Sequence, residues 1–373
     1  MSEKFERILI SGGGTGGHIF PALSIAAAIR RRNPDCKILF VGALGRMEME
    51  RVPAAGYKIV GLPVAGFDRK RLWRNIPVLF KLWKSIRRAR RIVRDFKPQL
   101  AIGVGGYASG PTLKAAQRAG VPTMLQEQNS YPGVTNKLLA RKALCVCTAY
   151  DEAARFFPPE RVVLTGNPVR PALLEASMTP AEARRAIGFD PDRPLVLVVG
   201  GSLGARTINE SMAGGLDALL AGGSMQILWQ TGRSGEQTGI DATAGRADVR
   251  ATPFISDMAT AYRAADLVVA RAGAGTISEL QLLGKPVILV PSPNVAEDHQ
   301  RKNALALEER GAAVMVLDDA ARTELVPAIQ RLMADPDARR RLSENIAKMA
   351  LTQADEKIVD QAQRLLDSQN SKK

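Results

Sequence analysis

Four glycine-rich turns carry most of the residues in this sequence that could do chemistry. The first, Gly12-Gly13-Gly14-Thr15-Gly16-Gly17-His18, follows an apolar run and opens a helical pattern. Glycine lets backbone approach a phosphate or a sugar closely, and a helix N-terminus favours an anion. The others are Gly103-Val104-Gly105-Gly106-Tyr107-Ala108-Ser109-Gly110-Pro111, Gly200-Gly201-Ser202-Leu203-Gly204-Ala205-Arg206 and Gly273-Ala274-Gly275-Thr276-Ile277-Ser278-Glu279. Four such turns, each at a predicted strand carboxyl end, point to a nucleotide-sugar or phosphate site. None is G-x-x-x-x-G-K-[ST], which disfavours ATP hydrolysis on a P-loop. The first turn satisfies G-x-G-x-x-G, but the next strand, Lys37 to Val41, ends in Gly42-Ala43 without an acid to hold a ribose. Dinucleotide binding is therefore not supported.

The titratable residues are few. The only histidines are His18 and His299, and the only cysteines Cys36, Cys145 and Cys147, so neither a zinc site nor a disulfide framework is expected. Reduced, cytosolic thiols are the simple expectation. His18 is the natural general base, since imidazole has a reference pKa of about 6.5. Glu127, a carboxylate beyond a strand end, is the competing base. Glu279 sits one turn into its helix, where it could accept both hydroxyls of a ribose while Gly275 and Thr276 hold a diphosphate.

Those residues need a scaffold, and the patterning supplies one. Strands are predicted at 7–10, 37–41, 100–104, 122–126 and 145–148, with helices at 21–31, 76–96 and 112–119. The second half repeats the theme, with strands at 194–199, 226–230, 267–270 and 286–290 and helices at 206–220 and 276–283. Strands separated by helices of ten or more residues mean parallel βαβ units. The fold class is α/β, with two doubly wound domains of Rossmann-like form whose strand carboxyl ends face a deep cleft. The boundary is placed near Gly166-Asn167-Pro168, giving an N-terminal domain over 1–168 and a C-terminal domain over 169–349. A tail helix at about 350–368 could pack back on either.

Across 1–168, 28 basic residues oppose 11 acidic ones, a net of +17 within a chain whose formal charge is +15. The densest run, 69–97, holds twelve basic residues and one acid, Asp95. Within it Ile76, Leu79, Leu82, Trp83, Ile86, Val93 and Phe96 recur at helical spacing. The later half of that face is expected to be core. The earlier half, with Trp73, Val78, Leu79, Phe80 and Trp83 beside Lys81, Lys84 and Arg87, has the composition of an interfacial anchor. No transmembrane helix and no signal peptide are expected, so any membrane contact must be peripheral.

At this point the residues resemble the MurG family of bacterial N-acetylglucosaminyltransferases. The motifs are Gly13-Gly14-Thr15-Gly16-Gly17-His18, Gly105 to Pro111, Gln126-Glu127-Gln128-Asn129, Gly166-Asn167-Pro168-Val169-Arg170, Gly200 to Arg206, Arg271 to Glu279, Asp298-His299-Gln300 and Asn303-Ala304. The resemblance implies a GT-B fold and an inverting, β-1,4-forming transfer of N-acetylglucosamine from UDP-N-acetylglucosamine to the muramyl 4-hydroxyl of lipid I, giving lipid II for peptidoglycan. It implies work on the cytoplasmic face of the bacterial inner membrane; with the basic, aromatic stretch, an anionic phospholipid surface is the expected partner, and nucleic acid is not. On the donor side it implies a backbone contact from Ile255 to uracil, with the Phe254 side chain in the core. Arg170 would face the diphosphate, Ser202 a phosphate or ribose oxygen, and Ala274, Gly275 and Thr276 would offer amides to the diphosphate. Glu279 would hold the ribose, and Gln300 and Asn129 the N-acetylglucosamine hydroxyls. Thr15, Gly16 and Gly17 would line the junction with the acceptor side, where Gly14, His18, Tyr107 and Ser109 lie. His299 is a pocket residue.

Inversion requires one in-line displacement, with a base for the attacking hydroxyl and positive charge or amide dipoles for the departing diphosphate. Arg170 and the amides of 274–276 are expected to serve in place of a metal, so no cofactor is expected. A nucleic-acid binder would explain the charge but lacks a recognised motif. A UDP-sugar epimerase would share the donor pocket but need no acceptor.

Overall fold

In a computed structural model, the described residues are 4–64, 76–170, 172–175, 177–201, 203–223, 225–295 and 298–370. The chain divides into two compact units. One comprises Met1–Arg170 with Thr352–Lys373, the other Pro171–Leu351. Trp73 and Ser202 lie outside the described residues.

The first unit holds strands β1 (Arg7–Ser11), β2 (Lys37–Ala43), β3 (Lys58–Leu62), β4 (Leu100–Gly103), β5 (Thr123–Glu127), β6 (Cys145–Thr148) and β7 (Val162–Leu164). Its helices are α1 (Gly16–Arg32), α2 (Glu48–Ala54), α3 (Ile76–Phe96), α4 (Ser109–Arg118) and α5 (Val134–Ala140). All strands pair in parallel in the order β3-β2-β1-β4-β5-β6-β7. Both faces of such a sheet are covered, which is why Ile8, Leu9 and Ile10 read as an unbroken apolar run and are all fully buried. Ile8 and Ile10 pack toward α1, whereas Leu9 packs on the opposite face with Ala89 and Val93 of α3.

In the second unit, α6 (Ala172–Glu175) and α7 (Pro180–Ala186) precede β8 (Leu195–Val199), α8 (Arg206–Leu220), β9 (Gln226–Gln230), α9 (Glu236–Thr243) and β10 (Val249–Thr252). Then come α10 (Met258–Ala264), β11 (Leu267–Ala270), α11 (Ala274–Leu283), β12 (Val287–Leu289), α12 (His299–Glu308), β13 (Val314–Met315), α13 (Ala321–Ala334) and α14 (Pro336–Lys348). The sheet order is β10-β9-β8-β11-β12-β13, again parallel. The last helix, α15 (Ala354–Asn370), returns to the first unit. There Ile358, Val359, Ala362 and Leu366 join the α1 face of the core, and Arg31 meets Asp355 and Glu356 at 2.6 and 2.7 Å.

One expectation needs correction. The first helix begins at Gly16 rather than at Pro21, which lies inside it. Proline costs a helix one hydrogen bond and crowds the carbonyl four residues back. Here that residue is Gly17, which has no side chain to add to the crowding. Gly16, Gly17 and His18 therefore form the first helical turn.

Strand order reverses direction between β1 and β4 in the first unit and between β8 and β11 in the second. A doubly wound sheet binds its ligand outside the strand carboxyl ends at such a switch point. The four glycine turns follow β1, β4, β8 and β11, the two strands flanking each switch point.

Candidate functional site

In the first unit the turns after β1 and β4 interlock, and their glycines are what allow it. A Cβ on Gly106, at φ +84°, would stand 2.1 Å from the Gly13 carbonyl oxygen. A Cβ on Gly105 would stand 2.9 Å from Cε1 of the His18 ring. These two glycines thus serve protein–protein packing and make room for the imidazole. Ser109, expected on the acceptor side, is fully buried, and its hydroxyl lies 2.6 Å from the Ser11 carbonyl and 3.0 Å from that of Gly105. It ties the two turns together. Tyr107 by contrast is 52% exposed. Gly14 and Gly16 are half-buried, and Thr15 and Gly17 are exposed.

Glu48 had no motif to mark it. It is fully buried, and its carboxylate accepts the Gly14 amide at 3.0 Å and the Ala43 amide at 2.9 Å. It anchors the first glycine turn to the end of β2. The only sequence signal was an acid in the helix that follows the glycine closing β2.

His18 and Glu127 are both positioned from the end of β5, in different ways. His18 is half-buried, with Nδ1 2.9 Å from Oε1 of Gln128. Glu127 is 2% exposed and accepts four hydrogen bonds. The Asn129 amide and side chain reach it at 3.0 and 3.2 Å, the Gly133 amide at 3.3 Å and the Asn136 side chain at 2.8 Å. That carboxylate organises the loop between β5 and α5. Asn129, expected on the donor sugar, spends part of its amide on Glu127. Arg170 stacks on the Phe20 ring, 5.0 Å from its centroid.

In the second unit α11 opens behind Gly273, and the Ile277 amide donates to the Gly273 carbonyl at 2.9 Å. The amides of Ala274, Gly275 and Thr276 come before the first helical hydrogen bond and so lie where an anion is favoured. Glu279 accepts the Tyr262 hydroxyl at 3.0 Å, and Tyr262 is 1% exposed. Tyr262 rides on α10, which is capped by Asp257; the Thr260 hydroxyl and amide hold that carboxyl below the usual carboxylate range. Gln300 accepts the Ser292 amide at 2.9 Å and so steadies the segment after β12. Ile255 gives its amide to Gln230 at 3.0 Å. The expectation for Phe254 is corrected: its side chain is 45% exposed, while that of Ile255 is buried. Neighbours in extended backbone point to opposite faces, and here Ile255 takes the inward one.

Among the described residues no group of three or more His, Cys, Asp or Glu side chains could hold a metal ion. Two Asp-x-Asp sequences occur. Asp190 and Asp192 precede β8, at the opposite end of the sheet from the glycine turns, and Asp335 caps α14. The three cysteines are buried and free, and burial pushes the Cys36 thiol up to about 11.

Comparison with known proteins fits this geometry. Residues 8–148 match the glycosyltransferase family 28 N-terminal domain and residues 195–361 its C-terminal domain. The UDP-N-acetylglucosamine–N-acetylmuramyl-(pentapeptide) pyrophosphoryl-undecaprenol N-acetylglucosamine transferase of Phocaeicola vulgatus is 58% identical over 98% of both chains. Its namesake in Bacteroides thetaiotaomicron is 54% identical over 99% of this chain and 100% of that one. The chain belongs to this transferase family. The crystal structure of Acinetobacter baumannii MurG has the same fold, with a TM-score of 0.75 at 28% identity, covering 96% of this chain and 99% of that one. Four of the eight motifs that suggested the family occupy the switch-point turns after β1, β4, β8 and β11, and the others lie at the end of β5, after β7 and at α12.

The helix α3 divides as the sequence suggested. Its later half buries Ala89 and Val93, while Leu79, Phe80 and Trp83 are 55, 57 and 51% exposed. Lys84 lies over the Phe80 ring at 4.6 Å and Arg87 over Trp83 at 4.8 Å, and Lys81 is also exposed. A crossover helix runs antiparallel to its strands, so this exposed end of α3 is the one directed toward the strand carboxyl ends, where His18 also lies. No helix among the described residues is long and apolar enough to cross a membrane.

Proposed function

We propose that this protein transfers N-acetylglucosamine from UDP-N-acetylglucosamine to the muramyl 4-hydroxyl of lipid I, inverting the anomeric centre and yielding lipid II. The observation that carries this reading is identity of 58% along almost the whole chain to a transferase named for that reaction. Transfer of labelled sugar from the UDP donor to a lipid I analogue tests it. Release of free sugar or epimerised donor without acceptor product would sink it.

In the mechanism we favour, the acceptor hydroxyl attacks the anomeric carbon as UDP leaves from the opposite side. His18 takes the hydroxyl proton. The buried position of Glu127 and its four donors favour His18 over it. Arg170 and the amides of 274–276 stabilise the departing diphosphate without a metal ion, which a helix N-terminus is suited to do. Glu279 holds the ribose hydroxyls, the Ile255 carbonyl meets uracil, and Gln300 and Asn129 meet the sugar. Tyr262 fixes the Glu279 carboxylate, so Tyr262→Phe is expected to raise KM for UDP-N-acetylglucosamine about tenfold with kcat little changed, the lower end, about 1.5 kcal/mol, of what a hydrogen bond to a charged group contributes. Steady-state kinetics with varied donor checks this, and an unchanged KM would remove Tyr262 from the donor site.

The exposed end of α3 serves as a peripheral anchor on the anionic cytoplasmic surface of the inner membrane, where the lipid-linked acceptor resides. Each basic residue near such a surface contributes about 1 kcal/mol. Lys81, Lys84 and Arg87 changed together to Glu are therefore expected to weaken binding to phosphatidylglycerol-containing vesicles about a hundredfold or more. Parent binding should also fall as salt rises. Vesicle sedimentation measures both, and unchanged binding by the triple variant would defeat the anchor.

A further inference from the structure

Three amide side chains behind His18 form a chain of defined polarity. His18 Nδ1 lies 2.9 Å from Gln128 Oε1. The Gln128 amide nitrogen in turn donates to the Val104 carbonyl at 2.8 Å, the Gln126 carbonyl at 3.3 Å and the Gln126 side-chain oxygen. The Gln126 nitrogen donates to Asn167 Oδ1 at 3.0 Å, and Asn167 Nδ2 returns to the Gln128 carbonyl at 3.0 Å. Gln126, Gln128 and Asn167 are 0, 2 and 3% exposed, so bulk water cannot substitute for a lost partner.

The orientation of Gln128 follows from its surroundings. Three oxygens converge on one end of its amide, and only the NH2 end can meet them. Oε1 must then face His18. An oxygen there accepts only from a protonated Nδ1, so the neutral imidazole carries its proton on Nδ1 and its lone pair on Nε2. A free histidine side chain in water favours the opposite tautomer, with the proton on Nε2. No hydrogen bond among the described residues engages Nε2, and Gly105 lies so close to the ring that a Cβ there would stand 2.9 Å from Cε1.

We infer that Gln128 is a positioning residue that fixes the Nδ1–H tautomer of His18 and reserves Nε2 as the proton acceptor. Gln126 and Asn167 lock the Gln128 amide in that sense. This inference rests on the reading of His18 as the base. The role is the one a carboxylate or carbonyl plays behind a catalytic or metal-binding histidine, where the partner of one ring nitrogen decides the state of the other. A neutral amide does so without adding a buried charge.

With only two histidines in the chain, the tautomer can be read directly by two-bond proton–nitrogen correlation in the full-length enzyme labelled with 15N-histidine. His18→Ala identifies which signals belong to His18. Above the imidazole titration, the parent should show His18 with Nδ1 protonated and Nε2 bare. Gln128→Met, similar in volume but without a polar amide, should shift His18 toward the Nε2–H form and lower kcat about 10- to 100-fold, with KM for UDP-N-acetylglucosamine within twofold. Gln128→Glu keeps an acceptor toward Nδ1 and should retain the Nδ1–H form. A parent enzyme with His18 protonated on Nε2 overturns the inference whatever the variants do. So does a folded Gln128→Met enzyme with unchanged tautomer and kcat. Near-normal turnover by His18→Ala would instead sink the base assignment while leaving the measured tautomer in place.

Discussion

His18→Ala is expected to lower turnover about 10²- to 10⁴-fold at saturating donor and acceptor, the usual range for loss of a general base. KM for UDP-N-acetylglucosamine should stay within about twofold, because Glu279, Gln300 and the amides of 274–276 belong to the other unit. The melting temperature should change little, since His18 is half-buried and makes one side-chain hydrogen bond. The contrast is Glu127→Ala. Removing that carboxylate takes the acceptor from Asn129, Gly133 and Asn136, of which the Asn136 side chain is buried at 2% exposure. A buried donor left unpaired costs about 1–3 kcal/mol, so Glu127→Ala should lose several degrees of thermal stability along with activity. Rates measured beside melting curves separate the two residues. His18→Ala with near-parent turnover would move the base role elsewhere. Glu127→Ala with parent-like melting would show that its four hydrogen bonds do not hold the loop.

Much of this site was legible because function and fold use the same residues. Strands β1, β4, β8 and β11 announce themselves as apolar runs with glycine at or within three residues of their ends, and the turns that end them are the turns at the switch points. Other strands were not called because their patterns are mixed: β3 reads Lys-Ile-Val-Gly-Leu and β13 is two residues long. The glycines were read as space for a ligand. At Gly105 and Gly106 the structure adds that they make space for the protein itself, for His18 and for Gly13. Such packing depends on two loops about 90 residues apart, and no local pattern records it. The supporting polar residues were hidden for the same reason. Glu48, Gln128 and Tyr262 look like an ordinary helix acid, loop amide and core aromatic until β2, β5 and α10 bring them against Gly14, His18 and Glu279. Helix α3 shows the reverse case. Aromatic residues beside lysine and arginine at helical spacing already implied an exposed face, because a core has no place for Lys81, Lys84 and Arg87.

Ending the chain at Leu351 is expected to unfold or severely destabilise the first unit. The lost helix buries Ile358 and Val359 completely and leaves Leu366 only 2% exposed, all against α1 and the sheet. Full burial of such a side chain is worth about 1.5–3 kcal/mol, so the three together supply roughly 5–9 kcal/mol, an upper estimate because the unfolded chain already hides some of this surface. A domain's whole stability is of order 5–15 kcal/mol. The ion pairs that join α15 to Arg31 and Arg32 are solvated and worth at most about 1 kcal/mol each, so packing decides the outcome. Single variants apportion the effect. Ile358→Ala should cost about 2–5 kcal/mol through the cavity it leaves, whereas Arg31→Ala should cost about 1 kcal/mol or less. Calorimetry of the shortened chain should show the first unit's transition lost or moved far down, while UDP, on the proposed donor site of the second unit, should still raise the temperature of the other transition. A shortened chain that melts like the parent would mean that α15 contributes little to the core it fills. Because α1 carries His18 in its first turn and α15 packs along that helix, the same deletion should abolish transfer even where UDP binding survives.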